Sequence, residues 1–173
     1  MEMNNMNRIE RKKIICIDTE TTGFSPCNDE ILQLSIINGC GEVLFNEHFR
    51  PQFKTEWPHA QAVHGISPEM LQDKNPIKTY IEQIQEIMLK ADLCIGYNVS
   101  FDLNFLHAAG VTIPNKMETY DVMWAFSKMT GKRKSLSSCA EFFGYSFQAH
   151  DSLEDVKATL HCYLAMNNLY DAS

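Results

Sequence analysis

Residues Ile14-Ile15-Cys16-Ile17 form an unbroken apolar run that ends in Asp18-Thr19-Glu20. So short and β-branched a run reads as a buried strand, over 13–18, rather than as a helix. Side chains alternate along a strand, so Asp18 and Glu20 project to one side while Thr19 points away. Two carboxylates leaving an apolar strand repel each other unless a cation sits between them, and carboxylate-only clusters suit hard ions such as Mg²⁺ and Mn²⁺. On this pair alone, a metal site and a solvated strand end both stay open.

The rest of the chain supplies a setting for that strand. A turn rich in Gly, Ser, Pro and Asn over 23–28 leads to a second strand at 31–37. Gly39-Cys40-Gly41 then turns the chain into a third at 43–49, which predicts an antiparallel meander. Residues 50–66, with two prolines and Trp57, read as a long loop. Helix starts follow at Ser67-Pro68-Glu69 and Asn75-Pro76, and Ile77, Tyr80, Ile81, Ile84, Ile87 and Met88 mark one helical face. A fourth strand is expected at 92–96, a helix at 100–109 stopped by Gly110, and another at 135–143 closed by Gly144. Asp151 with Glu154 resembles a capping box that opens a final helix through about Leu169. Strands first, then strand and helices alternating, predict an α/β sheet with helices on its faces. Residues 1–12 read as a flexible leader and 13–173 as a single domain, with no tail beyond the last helix.

At 173 residues the chain suffices for one domain with a real core. Its 45% hydrophobic and 21% charged content excludes disorder, collagen and a disulfide mini-scaffold. The net charge of −7 argues against holding a long stretch of duplex by charge alone, so a nucleic-acid partner would have to be met by a local basic patch or by metal ions. The six cysteines contain no C-x-x-C pair and sit mostly in apolar surroundings, as free thiols in a reducing compartment do. The first apolar run is too short for a signal-peptide core, and no run approaches the roughly 20 residues of a membrane span. We therefore expect a soluble, cytoplasmic protein with no membrane partner.

Two more groups could carry chemistry. Asp102, in Tyr97-Asn98-Val99-Ser100-Phe101-Asp102, falls just past a strand end in the first turn of a helix; alone it reads as an ordinary helix-start acid. His150 stands before the final helix, with Asp155 in that helix's first turns. His64, His107 and His161 lack such a setting and read as packing or surface residues.

Together these segments resemble the three motifs of the DnaQ-like (DEDD) 3′–5′ exonucleases, a family that includes the proofreading epsilon subunit of bacterial DNA polymerase III. The motifs are Asp18-Thr19-Glu20-Thr21-Thr22-Gly23, then Tyr97-Asn98-x-x-Phe101-Asp102-x-x-Phe105-Leu106, then His150-x-x-x-x-Asp155. Val63-His64-Gly65-Ile66 resembles a further family segment. The likeness spans residues 13 to 165 in order, and His150 five residues before Asp155 places it with the histidine (DEDDh) branch. It implies an RNase H-like fold, a mixed five-stranded sheet flanked by helices.

The resemblance also implies roles. Asp18, Glu20, Asp102 and Asp155 would hold two divalent ions, Mg²⁺ or Mn²⁺, and His150 would be the general base. Thr21, Thr22, Gly23, Phe24, His64, Asn98 and Phe101 would contact substrate, with Thr21 or Thr22 at the terminal 3′-hydroxyl and Phe24 stacked on the last bases. Phe24 is also readable as a core residue, with stacking the favoured reading, and the basic run Lys132-Arg133-Lys134 as a phosphate contact or a solvated loop. The expected activity is 3′–5′ hydrolysis of single-stranded nucleic acid, DNA favoured, releasing 5′-mononucleotides. RNA 3′-end trimming is the alternative, and a silent binding subunit on the same fold is a further one that the intact catalytic set argues against. Partnership with a DNA polymerase is compatible with the resemblance, although no polymerase-binding tail is recognisable.

Overall fold

The computed structural model describes residues 8–168. Five strands form one mixed sheet in the order β3-β2-β1-β4-β5. The strands are β1 (Ile14–Thr21), β2 (Ile31–Asn38), β3 (Val43–His48), β4 (Leu93–Gly96) and β5 (Glu118–Asp121). β1, β2 and β3 pair antiparallel as the expected meander, while β4 and β5 add in parallel beside β1.

β1 does not stop at Asp18. It runs on to Thr21 because β2 keeps pairing with it, with Asp18 opposite Ser35, Thr19 opposite Leu34 and Glu20 opposite Gln33. The two acids are therefore fixed inside a central strand. Strand alternation sends Ile15 and Ile17 to one face of the sheet, where they pack with Ile84, Met88, Leu103 and Phe105 from α3 (Ile81–Lys90) and α4 (Val99–Ala108). Ile14 and Cys16 go to the other face and meet Phe126 of α5 (Val122–Thr130), Ala140 of α6 (Leu136–Phe142), and Val156 and Leu160 of α7 (Ser152–Met166). A central strand buried on both faces is why this run carries no polar residue before Asp18.

Several expectations change. Residues Arg8–Arg11 of the segment read as a leader form a helical turn, α1, whose Arg11 carbonyl accepts from the Gly39 N–H at 3.0 Å; residues 1–7 lie outside the described part. The loop expected over 50–66 contains a helix, α2 (Pro58–His64), with proline in its first turn and a left-handed Gly65 at its end. It buries none of its residues, so no apolar stripe announced it. The helical face from Ile77 is split between a 3-10 turn (Ile77–Tyr80) and α3, and the start at Ser67 opens only a short 3-10 turn (Glu69–Leu71). α7 starts as expected, with the Asp151 carboxylate accepting from Leu153 and Glu154 N–H groups, and ends at Met166; the expected end at Leu169 lies outside the described residues. Glu154 closes no reciprocal box but pairs with Lys157 at 2.7 Å. No helix among the described residues is long and apolar enough to cross a membrane.

Candidate active site

The C-terminal half of β1, the start of α4 and the start of α7 bring the expected acids together. Asp102, buried in the first turn of α4, accepts at one Oδ1 from both the Thr19 N–H (2.9 Å) and the Thr19 hydroxyl (2.8 Å). On the other side, the Ser152 hydroxyl donates to the Asp18 carbonyl at 2.8 Å and pins the start of α7 to β1. Asp155, one turn further along α7, is thereby brought beside Glu20. Glu20, His150 and Asp155 each present one ligand atom, all within 4.8 Å of one another.

So many buried carboxyls raise one another's proton affinity. Burial pushes Glu20 up to about 8, and the charges of Asp155 and Asp102 add to it. Burial raises Asp102 to about 7 even against the two Thr19 hydrogen bonds, and Asp155 to about 6 against an N–H bond from His150. Asp18 is held well above the usual carboxylate range by burial, then by Asp102, Asp155 and Glu20. Asp18 Oδ2 and Asp155 Oδ1 are buried without a hydrogen-bond partner. Orphaned oxygens in an acidic cluster are what a hard divalent cation would satisfy, so the donor set fits Mg²⁺ or Mn²⁺.

His150 is exposed, and its backbone takes a left-handed φ of 70° while its N–H donates to Asp155 Oδ2 at 3.3 Å. The imidazole is thus tied to Asp155 through its own main chain. His64 is not idle surface. Its Nδ1 accepts from the Ile66 N–H at 3.0 Å, so the ring proton lies on Nε2, which donates to the Thr21 carbonyl at 3.2 Å. Burial and the nearby His150 keep its pKa below the ordinary histidine value.

The turn after β1 is built from its own polar groups. The Thr21 hydroxyl donates to the Gly23 carbonyl at 2.6 Å, and the Thr22 hydroxyl donates to Asp29 Oδ1 and accepts from the Glu30 N–H. The hydroxyl expected at a 3′-terminus, that of Thr21 or of Thr22, thus also shapes this turn. A Cβ at Gly23 would come 2.5 Å from Asp29 Oδ2, so any larger residue would have to displace a carboxylate that Thr22, Ser25 and Lys54 hold in place. Phe24 is 90% exposed, so it is no core residue, and its ring meets Phe101 edge-on at 6.5 Å. Asn98 caps α4 with a left-handed φ of 73°, its N–H donating to Asp121 Oδ1 at 3.2 Å. The basic run Lys132-Arg133-Lys134 lies on the α5–α6 connection, where the Tyr97 hydroxyl holds the Lys134 carbonyl at 2.8 Å. His107 is exposed and His161 bonds the Phe143 carbonyl at 3.1 Å, as surface and packing residues do.

A family model described as "Exonuclease" matches residues 15–163. The chain belongs to this exonuclease family. It is 28% identical over 169 residues to the DNA polymerase III subunit epsilon of Rickettsia prowazekii, covering 88% of this chain and 72% of that one. To RNA exonuclease 4 of Aspergillus fumigatus it is 31% identical over 163 residues, 87% of this chain and 50% of that one. Among solved structures, E. coli exonuclease I in complex with a dA16 oligonucleotide superposes with a TM-score of 0.74 at 18% identity. That match covers 90% of this exonuclease chain and 40% of the other, and the shared fold is RNase H-like.

Three residues of the exonuclease domain escaped the sequence reading. Thr19 points away from Asp18 and Glu20 as expected, and on that α4 face of the sheet it meets Asp102. Ser152 sits between His150 and Asp155 in sequence, and no local pattern marks its hydroxyl as the tie to Asp18. Asp121 ends β5, a four-residue edge strand without apolar alternation, and it positions both Asn98 and the first turn of α5.

Proposed function

We propose that this exonuclease removes nucleotides from the 3′ end of single-stranded nucleic acid, DNA favoured, releasing 5′-mononucleotides. The observation that carries the reading is the convergence of Asp18, Glu20, Asp102 and Asp155, two of them with buried unpartnered oxygens, next to His150. Two divalent ions, Mg²⁺ or Mn²⁺, would be held by these four carboxylates. When bound, they supply positive charge against the phosphate and acidify an attacking water. His150 takes the proton of that water at a ring nitrogen. Thr19 keeps Asp102 aimed at the cluster and Ser152 keeps α7 on β1. His64 fixes the strand end through the Thr21 carbonyl, and Phe24, with Phe101 behind it, offers a face on which a terminal base stacks.

Likeness to an epsilon subunit and to exonuclease I supports DNA as substrate, and the former supports a DNA polymerase as a further partner. RNA trimming is the second reading, supported by the 31% identity to RNA exonuclease 4. The six free thiols fit a reducing compartment, which supports the cytoplasm. Digestion of single-stranded DNA, duplex DNA and RNA of one sequence, side by side in Mg²⁺ and in Mn²⁺, tests the assignment. We expect single-stranded DNA to disappear fastest. Faster loss of RNA would favour the second reading, and degradation of none of the three would overturn both.

A further inference from the structure

We propose that a cavity beside the candidate active site binds upstream nucleotides of the strand being degraded, base on Phe53 and phosphates on Arg50 and Lys78. The inference rests on the exonuclease reading and extends it. The cavity, about 390 Å³, opens between the β1–β2 turn, the segment after β3 and the C-terminal half of α4, with Arg50, Phe53, Lys78, Phe105 and Ala108 in its lining. Its size falls in the range of small-ligand sites.

Three observations connect it to the acids and to a polyanion. First, a row of aromatic rings leads there. Phe24 leaves the motif turn and meets Phe101; Phe101 meets Phe105 at 4.8 Å; and Phe105, a core ring only 2% exposed, backs the cavity from the core side rather than offering a stacking face. Phe101, Phe105 and Ala108 share one face of α4, and the eight residues from Phe101 to Ala108 span about 12 Å. At the per-strand rise of about 3.4 Å this is three to four stacked nucleotides. Second, Phe53 is 86% exposed on a loop that is nonetheless held in place. The Glu30 carboxylate accepts from the N–H groups of Gln52, Phe53 and Lys54 at 2.6, 2.8 and 2.8 Å, and Lys54 pairs with Asp29 at 3.2 Å. An apolar ring presented to solvent on a tethered loop has no packing role, whereas aromatic faces are what single strands stack on. Third, the charge is suitable. The two acids of the lining, Asp29 and Glu30, are engaged in those loop contacts. Arg50 and Lys78 are exposed, and among the described residues neither is within an ion pair.

The test is a KM series on oligothymidylates from the dinucleotide to a dodecamer, comparing wild type, Phe53→Ala, Phe53→Trp and the double variant Arg50→Gln/Lys78→Gln. Wild type should gain affinity with length and level off at about three to four nucleotides, as the α4 span requires. Phe53→Ala should lose about 5- to 150-fold of that gain on the dodecamer, the worth of one stacked base, and Phe53→Trp should restore it. The double variant should flatten both the length gain and its salt dependence. Equal length dependence in all four proteins, or no length dependence in wild type, would overturn the inference while leaving the exonuclease reading intact. Failure of wild type to cleave any member of the series would instead overturn single-stranded DNA as the substrate, on which the inference rests.

Discussion

Thr19 holds Asp102 by a single carboxylate oxygen, donating to Oδ1 from both its backbone N–H at 2.9 Å and its hydroxyl at 2.8 Å. The two residues lie 83 positions apart in the chain and both are buried. One oxygen of Asp102 is thus anchored to β1, which leaves the other to serve the acidic cluster. Asp102 is positioned by the same strand that carries Asp18 and Glu20, so the three acids keep a fixed relation.

Thr19→Val keeps the shape and the backbone bond but removes the hydroxyl. A hydrogen bond to a charged group contributes about 1.5–3 kcal/mol, so the melting temperature should drop measurably. Turnover should fall by at least about tenfold as Asp102 loosens, and Thr19→Ser should restore most of both. Wild-type turnover in Thr19→Val would show that the backbone N–H alone positions Asp102.

Much of this arrangement was legible beforehand because it is written in local chemistry. The apolar run of β1 and the cap at Asp151 act within a few residues of themselves, and the structure keeps them, while Ser135, expected as the first helical residue, turns out to cap its helix by accepting from the Ser138 N–H. The motif acids also fell together as the family resemblance implied. What escaped depends on tertiary context. β1 extends to Thr21 because β2 lies beside it, α2 has no buried face, and β5 is a short polar edge strand. Thr19 and Ser152 act on partners 83 and 134 residues away, a distance no spacing rule reaches.

The acidic cluster gives the metal-free protein a definite pH dependence. Glu20 is pushed from 4.5 up to about 8, Asp102 from 3.8 to about 7 and Asp155 from 3.8 to about 6. Each binds its proton more tightly folded than unfolded, so stability is fully present below the ordinary carboxyl range near pH 4 and is lost as pH rises toward about 8. Thermal melts without metal should show a falling melting temperature across that window, and added Mn²⁺ should recover it at the alkaline end. A metal-free melting temperature that climbs from mildly acidic to alkaline pH would contradict this.

Asp18→Asn removes one charge from the same cluster and leaves the side-chain volume almost unchanged. The metal-free variant should melt higher than wild type at neutral pH, lose most of the stabilisation by Mn²⁺, and lose turnover. Paired melting curves with and without metal decide it. A lower metal-free melting temperature in the variant would count against repulsion as the dominant effect.

His150 is exposed and tied to Asp155 through its backbone, so its ring can be removed without disturbing the fold. His150→Ala should lose about 10²- to 10⁴-fold in turnover, the usual worth of general-base assistance, while Mn²⁺ still raises its melting temperature. Turnover matching wild type at saturating substrate and neutral pH, with chemistry rate-limiting, would assign the proton to another group.

The most direct test of the account is a time course on a 5′-labelled single strand, run with Mn²⁺ and again after chelation. With metal, we predict a labelled strand that shortens progressively from its 3′ end while unlabelled 5′-mononucleotides accumulate; after chelation, the strand should stay intact. Immediate release of the labelled 5′ nucleotide would reverse the polarity, and undiminished cleavage in the chelated sample would contradict the metal role assigned to Asp18, Glu20, Asp102 and Asp155.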